Sequence, residues 1–265
     1  MIGIHSVTLQ LRSQATATSA ISTAGNQTGA GNRVSSTATS SLTALGRQLA
    51  EAAQRADARY ASMDRQSLGA WASSRLAQIG GASWEINKAN YANEKPESDD
   101  PERLALARQA SEAVSGNAGA SNPFQSLPDD QLTLIIYDDS GAFTVNERRA
   151  ALKVDSEREY AWRRIAVAKA MNEYNSTGKL TKFFGEVLDH YKGLPAVEQA
   201  QYPADYAPRL QHWIDLDFNY KTHRAEGHAG ASTALVEQLL AAGATSTSGS
   251  PDELEALWKN LSEQL

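Results

Sequence analysis

The sequence contains no cysteine among its 265 residues. Disulfide bonds, zinc sites with thiolate ligands and cysteine nucleophiles are therefore excluded. The basic surplus that nucleic-acid binding requires is also missing, because the formal net charge is −6 at pH 7. No apolar run approaches the roughly 20 residues that cross a bilayer. We therefore predict neither nucleic-acid binding nor a membrane span, and the N-terminus does not have the pattern of a cleaved secretory signal.

The motifs of common enzyme families are missing as well. There is no G-x-S-x-G elbow, P-loop, dinucleotide-binding glycine pattern or kinase signature. Carboxylates are plentiful on the expected helices, for example at Glu157, Glu159, Glu186 and Asp189. Their order in the sequence does not show that any two of them meet in space. The sequence thus favours a non-enzymatic protein, with a hydrolase or toxin built from scattered residues as an alternative.

Residues 1–41 form a Ser/Thr-rich segment without acidic side chains. Residues 1–44 contain 8 Ser and 8 Thr, and the first acidic residue is Glu51. Because so little apolar surface is available to offset the ordering entropy, we predict a disordered tail. Either it is a plain flexible tail or it is an uncleaved export signal, since its composition resembles the N-termini of bacterial type III secretion substrates. That resemblance implies synthesis in the cytoplasm followed by secretion.

Apolar residues recur at three- and four-residue steps through most of the remaining chain, which is the spacing of amphipathic helices. We therefore predict an all-α, multi-helix bundle that follows the disordered tail. An N-terminal helical region at 42–115 is joined to a C-terminal helical bundle at 124–265 by the linker GNAGASNP.

Some boundaries inside these regions follow from local signals. Asp100 and Pro101 are typical of a helix start, and Gly80 is typical of a helix end. We predict a loop at 84–96 and a helix at 144–174 with a break near Asp155. Two short terminal helices are expected at 235–240 and 253–264.

Residues 126–149 join an apolar segment to a charged one through a tight turn. One interpretation is a β-hairpin in which DDSG turns between the runs LTLIIY and AFTV. The other is helix–loop–helix, in which Pro128 opens the first helix and Thr144 and Glu147 form a capping box for the second. We favour helix–loop–helix, because both helix-start signals stand where that arrangement needs them.

In this arrangement residues 136–147 resemble an EF-hand loop. With Gly141 at the sixth position, Asp138, Ser140 and Glu147 fall at ligand positions. The resemblance implies a calcium-responsive module that uses these three residues. Ile136 stands where the first ligand belongs and offers no side-chain oxygen, so we favour a capped helical corner without an ion.

A second stretch has the spacing of calcium ligands at Asp215, Asp217, Asn219 and Glu226. Tyr220 replaces the glycine that the sharp turn of such a loop requires, so we favour a continuing helix with a polar face. His223, Glu226 and His228 also lie close in sequence and would suit zinc. Their order differs from the H-E-x-x-H pair, and surface histidines are the simpler interpretation.

Five aromatic residues crowd into a short segment beside prolines, at Tyr202, Tyr206, Trp213, Phe218 and Tyr220. They would suit a groove for a protein partner, because Tyr and Trp give contact area at low entropy cost. Packing in the core and at its rim is the simpler interpretation, because aromatic side chains dominate cores in general.

Residues 137–151, YDDSGAFTVNERRAA, are similar to a YDxSGxFTxNERRAA-type core in a family of bacterial helical proteins. That resemblance implies no particular activity. The acid-free tail, the helical body and the missing motifs together favour a non-enzymatic interaction protein with a protein partner, exported in the manner of an effector. No cofactor other than calcium is expected. The calcium-responsive module and the hydrolase or toxin are the alternatives.

Overall fold

The computed structural model describes residues 34–116 and 119–227, and this part of the chain is all-α apart from one short hairpin. The elements are α1 (Val34–Ser62), α2 (Arg65–Ile79), α3 (Gly81–Tyr91), α4 (Pro101–Val114), α5 (Asp129–Ile136), α6 (Val145–Thr177), α7 (Thr181–Gly193), α8 (Ala196–Gln199), α9 (Tyr206–Leu216), β1 (Phe218–Asn219) and β2 (Arg224–Ala225). The predicted fold class is therefore confirmed. Among the described residues, no helix has the length and apolarity to cross a membrane.

Two parts of the predicted layout fall largely beyond this range. The tail predicted at 1–41 overlaps the described residues only from residue 34, where α1 begins. The helical region therefore starts before the predicted boundary at residue 42. The terminal helices predicted at 235–240 and 253–264 lie outside the described residues.

Local capping sets several helix boundaries where the sequence predicts them. Asp100 accepts a hydrogen bond from the amide of Glu102 at 2.9 Å at the start of α4, and α2 ends at Ile79, next to Gly80. Thr144 and Glu147 form a capping box at the start of α6, in which the Thr144 amide donates to Glu147 Oε2 at 2.9 Å. The helix–loop–helix prediction for 126–149 is confirmed, and the β-hairpin alternative is wrong.

One core joins the helices on both sides of the predicted linker. Its buried side chains come from α1, α2, α4, α5 and the first part of α6, and include Leu49, Ile79, Ala110, Ile135 and Val154. Phe124, which directly follows the linker, is fully buried in the same core. Apolar side chains from both predicted regions therefore share one packing unit.

A second core lies around the C-terminal part of α6. It is formed with α7 and α9 and includes Ala166, Phe184, Val187 and Leu210. Because α6 contributes to the first core up to Val154 and to the second from Ala166 onward, this long helix connects the two. The intervening stretch of α6 belongs to neither set of buried residues.

Two predicted interruptions of helices are wrong. Residues 84–96 are not a loop over most of their length, because α3 extends to Tyr91. Trp84 is 5% exposed and its Nε1 donates to Asn146 Oδ1 at 3.0 Å, so tertiary packing stabilises a helix with weak local signals. The break predicted near Asp155 is absent, since α6 is continuous. Polar residues there line a cavity instead of ending the helix.

The continuing helix predicted over 215–226 is also wrong. α9 ends at Leu216, Asp217 takes a left-handed conformation with φ 45°, and β1 then pairs antiparallel with β2. Phe218 of β1 is buried with Leu216, and Lys179 Nζ lies 2.5 Å from Asp217 Oδ2 and 2.7 Å from Glu226 Oε2. This contact draws both ends of the hairpin together, and the periodicity of the segment cannot reveal it.

Gly69 in α2 lies against the backbone at Ala200, which gives a testable prediction. A Cβ at Gly69 would lie 2.4 Å from Ala200 O, whereas one at Gly185 in α7 would meet nothing within 4 Å. We expect Gly69→Ala to lower the free energy of unfolding by about 1–3 kcal/mol, because α2 must move away from α8. Gly185→Ala is the matched control and should stabilise the protein by up to ~1 kcal/mol through helix propensity. Denaturant titrations that find the two variants equally stable would contradict the close approach.

Candidate functional site

Residues 146–149, NERR, organise the first core rather than form a site. Asn146 accepts from Trp84 Nε1 and donates to Tyr91 O at 3.1 Å, which ties α3 to α6. Glu147, which is fully buried, forms a two-point ion pair with Arg103 of α4, in which Arg103 Nη2 lies 2.7 Å from Glu147 Oε2. These bonds attach two neighbouring helices to the first turn of α6.

The two arginines of the same segment hold helix C-termini. Arg148 Nε donates to Ile136 O at 2.9 Å, at the end of α5, and Arg148 Nη2 donates to Arg75 O of α2 at 3.2 Å. Burial, together with the nearby charge of Arg75, lowers the pKa of Arg148 to about 10. Arg149 donates to Ile79 O at 2.6 Å and its guanidinium lies 3.8 Å from the ring centroid of Trp84. The NERR residues therefore serve helix packing.

Two of the EF-hand-like residues, Asp138 and Glu147, form ion pairs with arginines. Asp138 accepts from Arg55 Nη2 at 2.7 Å and from Ser140 Oγ at 2.7 Å, so Asp138 and Ser140 do meet. Glu147 is instead bound by Arg103. Calcium binding would require both ion pairs to open, because each guanidinium already supplies the positive charge that calcium would bring. Calcium binding stays a hypothesis. A calorimetric titration that shows no heat of binding up to millimolar calcium would contradict it.

The second candidate set surrounds a lysine ammonium. Asp217 and Glu226 share Lys179 Nζ, and Asn219 Nδ2 donates to Glu226 Oε1 at 3.0 Å. Hydrogen bonding to Lys179 holds the pKa of both carboxyls below its ordinary value. Asp215 lies apart from this contact and accepts from Gln211 Nε2 at 2.9 Å.

The histidines of the zinc hypothesis are only partly described. His223 lies in the turn between β1 and β2 with φ 55°, and His228 lies outside the described residues. Across residues 34–116 and 119–227, no three His, Asp or Glu side chains converge in a way that could hold a metal ion.

A cavity of about 800 Å³ lies beside the middle of α6, with walls from α5, α6, α7, α8 and the start of α9. This volume is typical of small-molecule sites, which span roughly 300–1,000 Å³. The polar side chains of its wall are Asp129, Asp130, Thr133, Asp155, Arg158, Glu159, Arg163, Asp189, His190, Glu198 and Gln201. The stretch of α6 between the two cores therefore forms one wall of a pocket.

Glu198 of α8 is a carboxyl with a raised pKa. Burial raises the pKa of Glu198 to about 7; the Thr133 hydrogen bond opposes the shift and the nearby Asp155 charge adds to it. Thr133 Oγ1 lies 2.7 Å from Glu198 Oε1 and 3.0 Å from Asp129 O. A hydroxyl has one hydrogen, so when Thr133 donates to the backbone oxygen, a protonated Glu198 can donate to Thr133. The geometry thus accommodates the protonated carboxyl.

Asp155 is a second carboxyl with a raised pKa. Burial, followed by the charges of Glu159 and Asp129, raises the pKa of Asp155 to about 6. Its position in the cavity wall explains the desolvation, because the ionised form loses water there. Two carboxyls of one cavity therefore titrate close to neutrality.

Glu159 and His190 form an oriented pair in the same wall. His190 Nε2 lies 2.9 Å from Glu159 Oε2, and Arg163 Nε donates to Glu159 Oε1 at 3.0 Å. Burial raises the pKa of Glu159, but the bonds to His190 and Arg163 outweigh it, so the net pKa is lowered. The His190 ring stacks on Trp162 at 3.6 Å between centroids, which fixes its plane. An ionised carboxylate thus holds the imidazole in one orientation.

Three tyrosines of the cavity wall pack against one another. The ring centroids of Tyr191, Tyr202 and Tyr206 lie 4.7–5.3 Å apart, and all three residues line the cavity. Burial raises the pKa of Tyr202 and of Tyr206, so both hydroxyls stay protonated. Tyr206 and Phe218 are buried, which confirms core packing for part of the aromatic segment.

The sequence reveals little of this site. Glu159 and Asp189 stand out only as two of many carboxylates, and nothing in the sequence marks His190 or Glu198. One signal does exist: the polar stretch DSEREY, residues 155–160, interrupts an otherwise apolar helical stripe. Three residues of this stretch, Asp155, Arg158 and Glu159, line the cavity.

No family model matches the chain, and neither a curated protein nor a solved structure matches it. The likeness of residues 137–151 to a bacterial family core therefore stays an expectation from sequence.

Proposed function

We propose that the cavity is a general acid–base active site and that the protein is a hydrolase of a small polar substrate. One observation carries this proposal. Glu198, whose pKa is raised to about 7, lines the same cavity as His190, which an ionised carboxylate orients. The pKa of Glu198 is raised and that of Glu159 is lowered, and carboxyls whose surroundings push their proton affinities apart are typical of acid–base sites.

His190 serves as the general base. Glu159 accepts the Nε2 hydrogen, which leaves Nδ1 as the ring nitrogen that can take a proton from water. Arg163 holds Glu159, and the stacked Trp162 holds the imidazole plane, so little reorientation is needed during the reaction. This is the base-and-orienter arrangement that activates nucleophiles in many hydrolases.

Glu198 serves as the general acid. As the water oxygen bonds to the electrophilic centre and the bond to the leaving group breaks, Glu198 gives its proton to the leaving group and His190 gains one from the water. Solvent then returns a proton from His190 to Glu198. A carboxyl that is half protonated near pH 7 suits this role, because its proton affinity matches the working pH.

Turnover of chromogenic substrates tests this function. Purified protein is assayed against p-nitrophenyl esters, glycosides, phosphodiesters and amino-acid p-nitroanilides. We expect one class to be hydrolysed, and we expect His190→Gln to reduce its kcat by about 10²–10⁴-fold. Glu198→Gln should reduce kcat by a similar factor on the corresponding substrate with an alkyl alcohol or amine leaving group, because p-nitrophenolate leaves without a proton. The rate should fall on the alkaline side as Glu198 loses its proton, with a midpoint near pH 7.

Glu157→Gln is the matched control, because Glu157 lies on the same helix as Glu159 but is exposed and outside the cavity wall. It should keep the wild-type rate. If no class is hydrolysed, or if Glu198→Gln keeps the rate within twofold on the substrate with the alkyl or amine leaving group, the hydrolase proposal fails. The non-enzymatic interaction protein that the sequence favours would then be the better account.

We also propose that the N-terminal segment directs export. Its support is compositional: residues 1–41 are Ser/Thr-rich and carry no acidic side chain. Residues 1–45 fused to a reporter should appear outside a bacterium that has a type III secretion system. Retention of the fusion inside the cell would remove this proposal.

A further inference from the structure

The cavity wall has an excess of negative charge. Six acidic residues line it, Asp129, Asp130, Asp155, Glu159, Asp189 and Glu198, against Arg158, Arg163 and His190. Arg158 is paired with Asp129, at 2.5 Å, and Arg163 is paired with Glu159. Glu198 is largely neutral up to pH 7, and Asp130, Asp155 and Asp189 form no ion pair within residues 34–116 and 119–227.

Aromatic rings supply a second, independent feature of the same cavity. Tyr137, Trp162, Tyr191, Tyr202 and Tyr206 all line it. One face of Trp162 is covered by His190, whereas Tyr191, Tyr202 and Tyr206 pack against one another. Aromatic walls favour weakly hydrated cations, because the ring quadrupole attracts positive charge that is easily stripped of water.

We propose that the substrate of this site carries a weakly hydrated organic cation, a quaternary ammonium or a guanidinium, which lies between the clustered tyrosines and Asp155. This inference rests on the proposed function only because it calls the bound molecule a substrate. Binding of the cation itself does not require turnover. The positive group offsets the unmatched carboxylates, and its apolar substituents contact the rings. The volume of about 800 Å³ leaves room for the hydrolysable part of the molecule beside His190 and Glu198.

Calorimetric titration of the full chain with choline and with methylguanidinium tests this inference. The neutral isostere of choline, 3,3-dimethylbutan-1-ol, has nearly the same shape and no charge. We expect one cation to bind per chain and the isostere to bind at least about tenfold more weakly, since a desolvated cation–π contact with a nearby carboxylate contributes on that order. The cation that binds more tightly shows whether the substrate carries a quaternary ammonium or a guanidinium.

Paired variants separate a local site from overall charge. Asp155→Asn and Glu157→Gln each remove one acidic group from α6, but only Asp155 lines the cavity. We expect Asp155→Asn to weaken cation binding about five- to tenfold and Glu157→Gln to change it less than twofold. Equal weakening by both variants, equal binding of the neutral isostere, or no heat up to tens of millimolar cation would overturn the inference.

The two proposals fail separately. Cation binding without hydrolysis of any substrate class would support the cation site and contradict the hydrolase proposal. Hydrolysis that depends on Glu198 but is equally fast with neutral substrates would support the hydrolase proposal. If no cation binds either, the cation site is contradicted.

Discussion

Replacing Arg103 by methionine is expected to lower the free energy of unfolding by about 3–5 kcal/mol, because a buried charge loses its partner. Arg103 is 2% exposed and Glu147 is fully buried, so water cannot replace the guanidinium. Arg103 also donates to Ala142 O at 2.7 Å, which ties α4 to the loop before α6. Urea denaturation at pH 7 measures the loss.

Two further variants define the cause of this loss. The double variant Arg103→Met with Glu147→Gln removes the orphaned charge but keeps a capping side chain, and it should recover part of the stability. Lys169→Met breaks the exposed pair with Glu186 and should cost less than about 1 kcal/mol. If Arg103→Met is no more destabilising than Lys169→Met, the buried pair does not hold the first core together.

Glu198→Gln is expected to stabilise the protein at alkaline pH and to leave it unchanged at acidic pH. The pKa of Glu198 is raised to about 7 in the folded protein from an ordinary value of 4.5. Below the ordinary value the carboxyl is protonated in both states, so its favourable contribution is fully present there. As the pH rises through 7, that contribution is lost, because ionisation in the cavity wall is costlier than in the unfolded chain.

The expected difference between variant and wild type is about 2 kcal/mol at pH 8, allowing for partial exposure of Glu198. Thermal denaturation should then give a Tm about 4–8 °C above wild type at pH 8 and a difference of no more than about 1 °C at pH 4, where the carboxyl is mostly protonated in both states. Glu157→Gln, an exposed substitution of the same kind, should show no such pH dependence. A constant difference from pH 4 to pH 8 would mean that Glu198 does not titrate in this range.

Helix boundaries set by neighbouring residues could be predicted from the sequence. Asp100 caps α4, and Thr144 and Glu147 cap α6, because each cap needs only residues within three positions. Helix amphipathicity likewise predicted the all-α class.

Features that depend on distant residues could not be predicted. α3 is bonded to α6 through Trp84 and Asn146, which are 62 residues apart, and the hairpin after α9 is contacted by Lys179, 38 residues before Asp217. No local pattern reveals such contacts, so the sequence indicates a loop in one case and a helix in the other.

The cavity could not be predicted from the sequence for the same reason. Its acid and its base, Glu198 and His190, lie on different helices, and the partner of the base, Glu159, lies on a third. Each residue alone is an ordinary surface type. The desolvation that raises the pKa of Glu198 arises only when the helices pack around the cavity.

The protonation of Glu198 is the point on which the proposed acid–base site depends most directly. Carbon-detected NMR of protein labelled at glutamate side-chain carboxyls follows each carboxyl through a pH titration, and the resonance missing in Glu198→Gln identifies the group. We expect its midpoint near pH 7. A midpoint near the ordinary value of 4.5 would contradict the protonated carboxyl and the acid–base site with it.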